Sequence, residues 1–199
     1  MNHLRSVFSL FLLLFIFTAT AFSQAYDPNQ KIEPNYEVAL QVVIGSNEAG
    51  QRGDLPASLS SITRQLRDNF SFSNYRLANT FLGRIANTGN IEYKSASNVL
   101  GQETDASQMF LEWSLANFRS MQNGFQARSF RFGARVPVQT GSSRDEAGRV
   151  TPIVNYESVG LTLSMIGLQA NTPTLIGTIS LPKTSGTIFL VATIKPTGS

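Results

Sequence analysis

The feature that most constrains this chain is the recurrence of apolar residues at every second position in several separate runs. Tyr36, Val38, Leu40, Val42 and Ile44 share one side of a segment, which is the two-residue period of a half-buried strand. Met109, Leu111, Trp113 and Leu115 repeat that period, as do Phe130, Phe132, Ala134, Val136 and Val138. Tyr75, Leu77 and Phe81 open another run that continues to about Ile85 on the same face. Segments 153–165, 174–181 and 187–194 read as further antiparallel strands. Val159-Gly160 interrupts the alternation and predicts a bulge or bend before Leu161 and Leu163.

Only one stretch carries a helical period. Leu55, Leu59, Ile62, Leu66 and Phe70 recur at spacings of four, three, four and four. Asp54 stands at the N-cap position and Pro56 just inside the first turn, so the spacing predicts a helix over 56–69. Turn chemistry divides the rest. Asn-Thr-Gly-Asn at 87–90 predicts a hairpin whose return strand begins at 91–94, and Asn123-Gly124 predicts a second. Residues 46–53 and 95–107 read as loops, and 141–148 is the most polar loop of the chain. Eight or nine strands with one helix give a β-rich α+β fold, mostly antiparallel sheet or sandwich.

Four segments follow from this reading. Residues 1–23 are a targeting segment and 24–35 an extended leader with two prolines. Residues 36–95 form a strand–helix–strand–strand unit, and 108–196 an antiparallel β unit. The two units either pack as one domain or divide near 95–107.

The first 23 residues have the layout of a secretory signal peptide. His3 and Arg5 form a short polar and basic start, Val7 through Phe17 an apolar run, and Ala21 and Ser23 small residues ahead of a cleavage point. Cleavage is expected after Ser23, with Ala21 as the alternative. A membrane span takes ~20 apolar residues, more than this run supplies. The chain is therefore expected in the periplasm or associated with the outer membrane.

Composition then limits the chemistry. Charged residues make up 15% of the 199 positions, against ~25% in ordinary soluble domains. Fourteen Phe and five Tyr supply a packed core rather than a disordered chain. Removal of 1–23 leaves 15 basic and 13 acidic side chains, a net charge of +2 without clustering, so no nucleic-acid partner is expected. It also removes the single His, and the chain has no Cys. Ser-His-Asp and Cys-His nucleophiles and His/Cys zinc sites are thereby excluded. No phosphate-binding glycine loop occurs. No catalytic, cofactor or metal residues are assigned, and the protein is not expected to be an enzyme.

Three constellations were weighed against plain structural readings. Ser180-Leu-Pro-Lys183, followed by Thr184-Ser185-Gly186, formally contains the SxxK of penicillin-recognising enzymes. The strand–turn context makes it a hairpin instead. Arg128, Phe130, Arg131, Phe132 and Arg135 mix basic and aromatic residues, but alternation sends Phe130 and Phe132 inward and Arg131 and Arg135 outward. Glu112, Asp145, Glu146 and Glu157 are acids of the kind a glycoside hydrolase pairs, and any chain with 13 acids offers such candidates. Trp113, the single tryptophan, reads as core rather than as a sugar platform.

The last third of the chain resembles part of the secretin domain, the outer-membrane gate of bacterial secretion and pilus systems. The residues that carry this are Ala134-Arg-Val-Pro-Val-Gln-Thr-Gly-Ser142 and Val154-Asn-Tyr-Glu-Ser-Val-Gly-Leu-Thr-Leu163. Ser158 stands where that pattern has an acid. Thr187-Ile-Phe-Leu-Val-Ala-Thr-Ile-Lys-Pro196 is similar to the closing strand of the domain, and 36–85 loosely resembles the small α/β modules that precede it. The resemblance implies an envelope protein that works through contacts with secretion or pilus proteins, or through self-association. It points to an accessory of such a system rather than an integral pore. The other readings are an exported β-domain that binds a ligand or surface, and a carboxylate-dependent hydrolase. For the 134–163 strands we expect internal pairing, with Val136, Val138, Leu161 and Leu163 inward and the 141–150 loop a plain surface connection.

Overall fold

Two strands from opposite ends of the chain form the centre of the first sheet. β1 (Asn35–Ser46) lies between β2 (Asn74–Ala86) and β8 (Thr187–Pro196), and β7 (Thr174–Ser180) completes the order β2-β1-β8-β7. The second sheet runs β3 (Ile91–Ser97), β4 (Met109–Met121), β5 (Gly124–Arg144) and β6 (Val150–Leu168) in sequence order. Every strand pairing is antiparallel. The computed structural model describes residues 34–47, 53–97, 108–181 and 186–197, all within the unit Glu33–Ser199. The fold is a β-rich α+β fold, as the alternation predicts. The signal-peptide segment, the leader as far as Glu33, and residues 48–52, 98–107 and 182–185 lie outside the described residues. Of the expected 95–107 loop, 95–97 are instead the end of β3, paired with 109–111 of β4.

The alternating residues fill the space between the sheets. Tyr36, Val38, Leu40 and Val42 of β1 join Leu111, Trp113 and Leu115 of β4 and Phe130, Phe132, Ala134 and Val136 of β5 in one buried cluster. Trp113 is a core residue, 3% exposed, stacked on Tyr93, and its indole N–H has no partner. A second, smaller core lies on the other face of the first sheet. There Val43, Phe189 and Val191 meet Leu59, Ile62 and Leu66. Burying such aliphatic side chains contributes roughly 1.5–3 kcal/mol each, and this holds the helix to the sheet.

The helix itself departs from expectation at its start. Residues Ala57–Leu59 form a 3-10 turn and α1 (Ser60–Asn69) follows. Asp54 is exposed and makes no cap, since neither the 3-10 turn nor α1 has a side-chain cap hydrogen bond. The apolar face nevertheless lies where the spacing puts it. That face is set by burial of Leu59, Ile62 and Leu66, and needs no polar cap to orient it.

Four further expectations are corrected. Tyr75, Leu77 and Phe81 do not share a face. Register jumps from Val42↔Asn79 to Val43↔Leu77, so Ala78 is an extra residue in β2. The bulge turns Tyr75 and Leu77 toward the helix and Phe81 and Ile85 toward the second sheet. The 87–90 turn is not a hairpin, because β3 pairs with β4 rather than β2. It is a corner between sheets, pinned to β4. Thr88 N–H donates to Phe118 O at 2.8 Å, Asn117 N–H to Asn90 Oδ1 at 2.7 Å, and Ser120 N–H to Asn87 Oδ1 at 2.9 Å.

No bulge occurs at Val159-Gly160, where pairing runs unbroken through Val159↔Ala134, Gly160↔Gly133 and Leu161↔Phe132. The shift in that pair of strands lies between Gln139 and Gly141, leaving Thr140 as the extra residue. Finally, 141–144 is strand rather than loop, paired with 150–153. The connection shrinks to residues 145–149, closed by the Arg149 backbone N–H donating to Asp145 Oδ1 at 2.7 Å and by an ion pair between Arg149 Nε and Asp145 Oδ2 at 3.1 Å.

Candidate functional site

Two surfaces of the second sheet stand out. The first is the far end of the β5–β6 hairpin. The last β4–β5 pair is Phe110↔Arg135, whereas β5 continues to Arg144 with β6 as its partner among the described strands. Residues 140–153 are exposed throughout, and Val150 and Ile153 are 58% and 48% exposed apolar side chains. The result is a two-stranded ribbon carrying strand edges and apolar side chains in solvent, the kind of edge that pairs readily with another chain. Val136 and Val138 are buried and Leu161 and Leu163 half-buried, as expected. The strands also pair internally as expected, but the connection is not the plain 141–150 loop foreseen.

The second surface is the outward face of the same sheet. Antiparallel register places Lys94, Glu112, Gly133 and Gly160 in one row across four strands. On one side runs the row Ala96, Phe110, Arg135, Ser158, and on the other Glu92, Ser114, Arg131, Thr162. With no side chains at Gly133 and Gly160 the middle row is a trough. Two adjoining hollows of about 460 and 510 Å³ share Glu112 and Gly133. Phe110 and Tyr156 are 46% and 41% exposed, their ring centroids 6.0 Å apart. The Arg135 guanidinium lies 5.7 Å from the Tyr156 centroid, a cation–π distance. Lys94 Nζ sits 3.0 Å from Glu92 Oε1. That hydrogen bond and charge, with a smaller contribution from Glu112, raise the Lys94 pKa above its ordinary value.

The residues singled out from sequence are dispersed. Phe130 and Phe132 are 1% and 2% exposed, while Arg128, Arg131 and Arg135 are exposed. Glu112 belongs to the outward face. Glu157 pairs opposite the buried Val136 and so projects from the other face, and Asp145 and Glu146 occupy the connecting turn. These four acids therefore form no facing pair. Ser180 and Thr187 pair at the start of the β7–β8 hairpin, where Leu181 N–H donates to Gly186 O at 3.1 Å. Lys183, Thr184 and Ser185 lie outside the described residues.

The trough was missed in the sequence. Its only local signal is Phe110, a large apolar residue at an outward position between the inward Met109 and Leu111. The opposition of Gly133 and Gly160 depends on register, which no local pattern encodes.

No family model and no curated protein matches the chain. Among solved structures, the chain is similar to one from the basal body proteins InvG, PrgH and PrgK of the Salmonella SPI-1 type III secretion injectisome. Identity is 11% and the TM-score 0.29, over 84% of this chain and 46% of that one. This chain thus spans about half the length of the chain it matches, and a likeness of that extent carries no argument.

Proposed function

We propose that the protein is a non-enzymatic, exported cell-envelope protein that acts by protein–protein contacts as a secretin-related accessory of a secretion or pilus system. The observation that carries this reading is the β5–β6 ribbon. It presents exposed strand edges together with Val150 and Ile153 in solvent, a combination that a partner strand can satisfy. The two segments of strongest secretin resemblance, 134–142 and 154–163, pair with each other from Ala134↔Val159 to Gln139↔Val154 and run into the ribbon beyond Arg135↔Ser158. The third, 187–196, is β8 in the other sheet.

The reading places the protein in the periplasm or at the outer membrane after cleavage behind Ser23. N-terminal sequencing of envelope protein should return Gln24; an intact chain from Met1 in the cytoplasm would refute export. The contact itself is tested by cross-linking from ribbon positions to identified secretion or pilus components. An Ile153→Asp variant should lose those cross-links while keeping its fold, because Ile153 is exposed.

A further inference from the structure

The ribbon leaves the trough on the outward face of the second sheet without a role. We infer that this trough is a saccharide-binding site, taking a short neutral sugar chain laid across strands β3 to β6. Three observations point to that class of ligand.

First, the trough is glycine-floored and of suitable size. Its two hollows, about 460 and 510 Å³, fall within the ~300–1,000 Å³ of small-molecule sites. Gly133 and Gly160 contribute no side chains to the floor, and the Glu112 side chain lies over Gly133. Second, the backbone here has nothing left to offer a peptide. Recognition by strand addition uses the free edge of a sheet, whereas the interior strands β4 and β5 are paired with neighbours on both sides across 110–115 and 129–135. A ligand in this position is held by side chains alone.

Third, those side chains are of the right kinds. Phe110 lines the second hollow and Tyr156 stands beside it, 46% and 41% exposed. One face of the Tyr156 ring is covered by the Arg135 guanidinium, and the open part of each ring takes the C–H face of a pyranose. Glu112 accepts hydroxyl hydrogen bonds, Arg131 and Arg135 donate them, and Ser158 does either. Acid and base stand side by side, so a phosphate-rich nucleic acid would meet the Glu92 and Glu112 carboxylates as it met the arginines. A neutral chain of hydroxyl groups is satisfied by both. Of these residues only Tyr156 belongs to the ribbon, and none is Val150 or Ile153, so Ile153→Asp tests the ribbon without touching the trough.

The test is a titration of the isotope-labelled full chain with cellotetraose and, in parallel, chitotetraose, read by amide chemical shifts. Saturable shifts centred on Phe110, Glu112, Gly133 and Gly160 with either sugar are expected. Tyr156→Ala should weaken the binding about tenfold, the loss of one aromatic contact. Gly133→Val fills the trough from its floor and should abolish binding. Its Cβ meets only side-chain atoms of Glu112, Oε1 at 3.1 Å and Cγ at 3.2 Å, so Glu112 must move aside, and an unchanged amide spectrum away from the trough shows that the variant keeps its fold. Absence of shifts with both sugars, shifts elsewhere, or affinities unchanged in both variants overturns the proposal. Saturable binding of an oligoalanine peptide in place of either sugar would assign the trough to peptides and overturn it as well.

Discussion

The Tyr75 hydroxyl lies 3.0 Å from the carbonyl oxygens of both Leu66 and Phe70, tying the last turn of α1 to β2. Tyr75 reaches that position because the Ala78 bulge turns the start of β2 toward the helix. Tyr75→Phe keeps the ring packing and removes the shared donor, so it should cost about 0.5–1.5 kcal/mol in a denaturant titration. Burial raises the pKa of this phenol above 10.0, outweighing a backbone hydrogen bond at Phe72 and the Arg67 charge, both of which lower it. A raised pKa favours the neutral form in the folded protein. The stabilisation is complete below the unfolded value near 10 and is lost as pH climbs through the folded pKa. Stability should therefore fall above pH 10 in the wild type, and less steeply in Tyr75→Phe.

Leu66 and Arg67 are neighbours with opposite environments, 0% exposed and exposed respectively. Leu66→Ala should destabilise by ~2–5 kcal/mol, the range for a buried leucine leaving a cavity. Arg67→Ala should cost under ~1 kcal/mol, as exposed substitutions do. Equal small changes in the two midpoints would mean that the helix does not pack as described.

Gly160 and Gly133 face each other in the ladder but tolerate a side chain differently. A Cβ at Gly160 would lie 2.5 Å from Phe132 O, a backbone atom, whereas one at Gly133 meets side-chain atoms of Glu112, Oε1 at 3.1 Å and Cγ at 3.2 Å, which can shift. Gly160→Ala should therefore cost about 1–3 kcal/mol through forced backbone movement. Gly133→Ala should be close to neutral. Thermal midpoints of the two variants decide this directly.

The strands that build the core were readable because each keeps one apolar face over five or more residues, as Phe130 through Val138 do. The helix face was readable for the same reason, from Leu59, Ile62 and Leu66. What local pattern could not supply was the number of residues between faces. One extra residue at Ala78 reverses the facing of everything before it, and a second at Thr140 was placed instead at Val159-Gly160. Sheet membership was hidden too. Asn-Thr-Gly-Asn at 87–90 has hairpin chemistry, yet its side chains and backbone bond to Asn117, Phe118 and Ser120, 27 to 33 residues on in the two side-chain cases. The polar strand end at 141–144 is held by pairing with 150–153 rather than by burial. Polarity alone therefore read as loop.

The central claim is that the exposed β5–β6 ribbon is the protein's contact surface with envelope partners. The most direct measurement places a photo-cross-linking residue at Ser142 or Thr151, both exposed and paired within the ribbon, in the full chain in living cells. Adducts are then identified by mass spectrometry. The account predicts adducts with secretion or pilus components from both positions, lost in Ile153→Asp, and a monodisperse monomer or small oligomer when the protein is purified without detergent. Absence of any adduct from the ribbon would contradict it, and so would heat-resistant rings of high mass that conduct ions in planar bilayers, which would make the chain a pore in its own right.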